Sequence, residues 1–253
     1  PSFDTPKGVR EILHRKPGDV VSQFLLGYST TLHLIRLMGS DISDAIAKSF
    51  AAFQAGSAKK PLRDLERKLE VLEARHYLKD GKLTGKGQFC TKLAGFEIQL
   101  TELYWDGCFE DLDPIQCAII CAAIIHQSRP RDSSVNLEIN PIPQNIVNKS
   151  RKRLREFRKA EVASGFDPIV HLLDFGLAAP LSFWLTGTDL PDLQRYTSMQ
   201  EGDLVRAFRL TVQVLRQLAW SLPKDNPVAE NCRKAIALIN RNEVDAERQL
   251  NIN

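Results

Sequence analysis

A chain of 253 residues with 43% apolar and 26% charged content can bury a sizeable core in one large domain or two modest ones, which excludes a disordered chain. Its formal net charge of +3 is too weak to name a partner, so the distribution of charge has to do so. No apolar run approaches a bilayer span and no signal peptide is visible, so no membrane partner is expected.

The odd set of cysteines (Cys90, Cys108, Cys117, Cys121 and Cys232) argues against a disulfide framework. It points to a reducing, cytoplasmic location. The chain opens with Pro1, which fits an excised piece of something longer.

The periodicity is helical nearly everywhere, so the expected fold class is mainly α. Val20 to Met38 has apolar residues three and four apart, and Gly39 and Ser40 interrupt it. "DISDAIAKSFAAFQ" predicts a second, shorter helix with Ile42, Ala45, Ile46 and Phe50 or Phe53 turned inward. Ala55 to Pro61 reads as a loop by its small residues and its proline. "LRDLERKLEVLEARHYL" follows, with Leu62, Leu65, Leu69 and Leu72 on one face and charge on the other. Asp80-Gly81 between two short flanks is a hairpin signal, because these residues tolerate the positive φ of a two-residue turn. Helix, loop, helix, hairpin is the order of a winged-helix unit.

Beyond Phe89 only helices are expected, in an antiparallel bundle. Leu93 to Phe109 is one. "DLDPIQCAIICAAIIHQ" starts with Asp113 as N-cap and Pro114 at the first helical position. Pro130 to Pro143 is a loop, and "QNIVNKSRKRLREFRKAE" a basic helix. "DPIVHLLDFGLAAPLSFWLTG" has the same Asp-Pro start at Asp167 and Pro168, with a break or bend at Gly176 and Pro180. "TDLPDLQRYT" gives a short helix. Ser198 and Glu201 have the spacing of a capping box. "NPVAENCRKAIALINRNEV" is a last amphipathic helix.

The stretch from Glu201 to Trp220, "EGDLVRAFRLTVQVLRQLAW", keeps three arginines in a greasy context. At roughly 100° per residue, Arg206, Arg209, Gln213, Arg216 and Gln217 fall within about 100° of arc. A narrow polar seam on an otherwise apolar rod suits a helix inside a bundle that exposes one line of side chains to a groove. Arginine there serves a phosphate or a base. The other reading is pairing with carboxylates on a neighbouring helix.

Four segments, "FLLGYSTTLHLIRLMGSD", "AKSFAAFQ", "LTELYWDGCFEDLDPIQCAIICAAI" and "TSMQEGDLVRAFRLTVQVLRQLA", together resemble the DSHCT region of the superkiller and exosome-type DExH-box RNA helicases, in the family's order. The resemblance implies a linker at 1–17, a winged-helix domain at 18–88 and a helical bundle at 89–253. It implies that the seam helix is the family's ratchet helix, facing single-stranded RNA. Arg206 matches the arginine of the family's "EGxLxR" pattern, and Arg209 and Gln213 lie where relatives present residues to RNA. Leu210 stands where eukaryotic relatives tend to have a basic residue, and Gln213 where they tend to have an acidic one. The long arch of eukaryotic exosome helicases has no counterpart around Ala55 to Lys60, so no arch-mediated adaptor is expected, and the shape looks more bacterial or organellar. The chain has no GxxxxGK[ST], no DExH box and no arginine-finger motif. By resemblance it is therefore a non-catalytic part of an ATP-dependent helicase. No cofactor is expected in this chain, and ATP and magnesium would belong to the RecA-like domains of the parent.

Other candidates remain beside this reading. Lys149, Arg151, Lys152, Arg153, Arg155, Arg158 and Lys159 share the basic helix, either as a solvated face or as a phosphate-contacting flank with Arg151 and Arg155 in it. Cys117 and Cys121 with His126 have partial zinc spacing, but their apolar neighbours read as core. Asp106, Glu110, Asp111 and Asp113 form an acidic knot, of which Asp113 is explained as a cap. "TGKGQF" has the wrong glycine spacing for a phosphate loop and no evident strand-to-helix context. His33 and His171 read as packed. Two rival functions stay open: a stand-alone winged-helix DNA-binding regulator with a helical oligomerisation domain, and a purely structural partner-binding module. Glu66, Glu70 and Glu73 on the candidate recognition helix count against duplex binding.

Overall fold

A computed structural model describes residues 26–135, 137 and 139–245. The expected helix from Val20 lies partly outside the described residues. Its described part is α1 (Tyr28–Met38), which starts after Gly27. Next come α2 (Ile42–Ala47) and α3 (Phe50–Gln54). These replace the single helix expected there. The Ser49 side chain accepts the Ala52 amide and starts a new helix. The re-aimed turn buries Ala52 and leaves Phe50 and Phe53 exposed, contrary to the inward placement expected for one of them.

α4 (Lys59–Ala74) begins three residues before its leucine stripe. Pro61 belongs to its first turn rather than to a loop, because an amide there has no intrahelical partner to lose. Leu65 and Leu72 are fully buried. Lys68 is buried too, 4.1 Å from the Phe166 ring centroid. The hairpin forms as read: β1 (Leu78–Lys79) pairs antiparallel with β2 (Lys82–Leu83), and Asp80 and Gly81 both take positive φ. It is the one two-stranded sheet among the described residues.

β2 leads directly into α5 (Gly85–Cys90), capped by Thr84, whose hydroxyl accepts the Gly87 amide. "TGKGQF" thus does have a strand-to-helix context. The turn nevertheless packs against protein: a Cβ at Gly87 would lie 2.2 Å from the Tyr77 carbonyl oxygen. α6 (Glu97–Trp105) is shorter than the Leu93 to Phe109 helix expected, with turns on both sides.

α7 (Pro114–Ile125) is the centre of the molecule. Gln116 to Ile124 are all buried, as expected for a helix apolar all round. Its capping box is complete, with Asp113 accepting the Gln116 amide at 3.0 Å and Gln116 accepting the Asp113 amide at 3.2 Å. α8 (Gln144–Ala163) follows, packed on α4 and α6.

The Asp-Pro start expected at Asp167 and Pro168 is not a helix start. Residues 166–174 run as irregular chain, and only after a 3₁₀ turn at Phe175–Leu177 does α9 (Ala178–Leu185) begin. The cause is long-range pairing. The buried Glu161 carboxylate accepts the amides of Ile169 and Val170 and the Tyr28 hydroxyl. The Asp174 amide donates to the Ala123 carbonyl of α7. His171, expected to be packed in a helix, is exposed as a result.

α10 (Glu201–Ser221) and α11 (Pro227–Ile239) then pack against each other and against α7. The Ser198–Glu201 capping box does not form. Gln200 is the N-cap, and the Ser198 hydroxyl instead accepts the Ser133 amide at 2.9 Å. The fold is therefore mainly α, with five free, buried cysteines. Among the described residues no helix is long and apolar enough to cross a membrane.

Candidate nucleic-acid interface

The seam helix is α10. Leu204, Phe208, Val212, Val214, Leu215 and Leu218 bury its apolar sides. Glu201 and Asp203 in the first turn complement the positive end of the helix dipole. Arg206 and Gln213 are exposed, and Arg209 and Arg216 half-buried.

Arg206, Arg209, Gln213 and Arg216 line one wall of an open cleft of about 480 Å³. The opposite wall is Asn240, Val244 and Asp245, from the end of α11 and the 3₁₀ turn beyond it. The four side chains have different environments. Arg209 donates from Nε to the Val244 carbonyl at 3.1 Å and from Nη2 to the Glu243 carbonyl at 2.8 Å. Gln217, also on the seam, accepts the Ala94 amide at 2.8 Å and is a packing residue. Arg206, Gln213 and Arg216 make no hydrogen bond or ion pair among the described residues, so for these two arginines the carboxylate-pairing alternative is not what the structure shows there. An exposed arginine (Arg206) and a half-buried one (Arg216), both with unfilled donors and spaced along a groove, are suited to phosphate and to base faces.

Arg151 and Arg155 are not brought into this cleft. Arg151 lies over the Phe175 ring at 5.3 Å and Arg155 is exposed on α8. The basic run divides by partner. Arg153 pairs with Asp106 and with Glu156, while Lys152, Arg155 and Lys159 face solvent.

The remaining candidates resolve into packing. Among the described residues no group of three or more His, Cys, Asp or Glu could hold a metal ion. Contact with Cys232, then burial, pushes the Cys117 thiol far up; burial does the same to Cys121. In the acidic knot, Asp106 pairs with Arg153, Asp113 caps α7, and Glu110 and Asp111 are exposed in the connecting turn.

Two residues on or beside the seam face escape the sequence pattern. Trp220 falls inside the same ~100° arc as the arginines, and it is 80% exposed, but an aromatic residue at a helix end reads as core. Asn240 reaches the cleft only because α11 folds back beside α10; no local signal marks it.

Residues 80–246 match the family model of the DSHCT (NUC185) domain. The chain is 24% identical over 166 residues, 61% of its length, to the ATP-dependent RNA helicase mtr4 of Schizosaccharomyces pombe, covering 14% of that protein. It is 24% identical over 195 residues, 73% of its length, to an uncharacterized helicase of the same organism, covering 18% of it. It is 27% identical over 164 residues, 62% of its length, to human Superkiller complex protein 2, covering 13% of it. The chain thus spans less than a fifth of each of these relatives.

Proposed function

Because the chain belongs to the DSHCT domain family, we propose that it is the C-terminal, nucleic-acid-guiding portion of an ATP-dependent RNA helicase of the superkiller and exosome type. In this reading residues 18–88 form a winged-helix domain, residues 89–253 the ratchet-type bundle, and 1–17 the link from a preceding domain. RecA-like domains of the same parent chain would bind ATP and magnesium and supply the motor. Single-stranded RNA would lie in the cleft along α10, with no arch-mediated adaptor.

The observation that carries this reading is the cleft itself. Arg206 and Arg216 face it without a protein partner among the described residues, and Trp220 continues the same line. A strand threaded there meets charge for its phosphates and a π face for its bases, a combination that holds single strands without reading sequence. Arg151 and Arg155 would act as a separate, sequence-blind flank on α8, with their contribution fading as salt rises. Duplex DNA suits the chain less well. Glu66, Glu70 and Glu73, all exposed on α4, would face phosphates if that helix entered a groove.

A filter-binding salt titration with single-stranded RNA and with duplex DNA tests the reading. Preference for the single strand, with affinity falling steeply as salt rises, is expected. Equal or tighter binding of the duplex would refute it.

A further inference from the structure

Arg206 stands between two openings. On one side is the seam cleft; on the other is a second cleft of about 260 Å³, which it also lines. The second cleft sits where the loop after α7 meets the start of α10. Its apolar lining includes Met199, Ala207 and Leu210, and its polar lining includes His126, Gln127 and Asp132.

The walls are held in place. The Val135 amide donates to the Tyr196 carbonyl at 3.0 Å, the Ser198 amide donates to the Ser133 carbonyl at 2.9 Å, and Arg129 pairs with Asp203 at 3.2 Å. These bonds stitch the loop to the segment entering α10. His126 is only 8% exposed. Its Nε2 lies 3.3 Å from the Ser128 hydroxyl, and a Cβ at Gly176 would come within 2.8 Å of that nitrogen. The ring is therefore wedged, and its Nδ1 has no hydrogen-bond partner among the described residues. The Gln127 side chain likewise has none.

The chemistry favours a base over a phosphate. Asp132 and Asp203 line the cleft together with Arg129 and Arg206, and Arg129 pairs with Asp203 at 3.2 Å, so the lining charges balance and give an anion no net attraction. An apolar lining together with an imidazole, an amide and a carboxylate instead matches a nucleobase, which offers a flat π face and a hydrogen-bonding edge. Burial holds His126 below its ordinary range, so the ring is neutral and can donate or accept.

We propose that this second cleft is a nucleobase pocket, taking one base of the strand at the N-terminal end of the seam. Met199 and Leu210 lie against its face, and His126 and Gln127 meet its edge. The inference rests on the reading that α10 carries single-stranded RNA.

The test uses the full-length protein and an RNA duplex with a single-stranded overhang, which fixes the register. One abasic nucleotide is moved along the overhang in turn. One position is expected where loss of the base weakens binding roughly tenfold, the scale of one base contact. Ala207→Leu, which fills the pocket, and separately Gln127→Ala should each cut that penalty to about threefold or less. The salt slope should not change, since neither substitution alters a charge. The pocket is refuted if every overhang position is equivalent, or if the sensitive position persists undiminished in both variants while Arg206→Ala still weakens binding. If Arg206→Ala with Arg216→Ala leaves RNA affinity and its salt slope untouched, the seam reading itself fails, and the pocket falls with it.

Discussion

Arg209 fastens the Glu243–Val244 backbone to the middle of α10, through two hydrogen bonds of 2.8 and 3.1 Å to carbonyl oxygens. The guanidinium thus builds the far wall of the cleft as well as lining its near side. Arg209→Ala should lower stability by about 2 kcal/mol, the scale of charge-assisted hydrogen bonds lost. Arg206→Ala should change it by less than about 0.5 kcal/mol, as for an exposed side chain without partners. Urea midpoints of the two variants separate these roles. Equal midpoints would show that Arg209 does not hold the wall.

Glu102 on α6 is the buried hub that joins the end of α4 to α5. Its carboxylate meets Arg75 at 2.6 Å and Lys86 at 2.5 Å, with no exposure of its own side chain. Glu102→Ala leaves the poorly solvated Lys86 without its anion and Arg75 with only the longer Glu156 pair at 3.7 Å, which should destabilise the fold by about 3 kcal/mol. Chemical denaturation reads this directly. A loss below about 1 kcal/mol would mean that water replaces the carboxylate.

How much of this was legible beforehand depended on range. The Asp80-Gly81 turn and the Asp113-Pro114 helix start are local chemistry, and both form as read. The seam on α10 is a local pattern too. The failures are long-range. Nothing near Asp167 announces that Tyr28 will reach Glu161, or that the Asp174 amide will reach the Ala123 carbonyl and help keep that segment out of a helix. Nothing near Glu201 announces that Ser198 will serve Ser133 instead of its own helix. The cleft is the same case: periodicity supplies the wall of Arg206, Gln213 and Arg216, but only folding brings Asn240 and Val244 opposite.

Stability should depend on pH through His126. Burial lowers its folded-state pKa, reinforced by Arg129 and opposed by Asp174 and Asp132. The unfolded chain titrates near the ordinary value of about 6.5. Below that pH and above the folded value, the unfolded state binds more protons, so stability falls as pH drops. His126→Gln should flatten this part of the profile, measured as urea midpoints between pH 8 and pH 5. An identical slope in the variant would place the titration elsewhere.

Gly87 is required by space. A Cβ there would meet the Tyr77 carbonyl oxygen at 2.2 Å, a backbone atom that cannot rotate away. Gly87→Ala should cost about 1–3 kcal/mol through forced backbone shifts, despite alanine's better helix propensity. Gly202, where an added Cβ meets nothing within 4 Å, is the control. Gly202→Ala should be neutral or stabilising. Similar thermal midpoints for both variants would contradict the packing of α5 on the hairpin.

The central claim is that Arg206 and Arg216 meet the phosphates of a single strand. Its most direct test is the salt dependence of RNA affinity for the unaltered protein and for the Arg206→Ala/Arg216→Ala variant. Two lost contacts should reduce the slope of log affinity against log salt by about 1.4, at roughly 0.7 per phosphate on a single strand. A folded variant with unchanged affinity and unchanged slope would contradict the account.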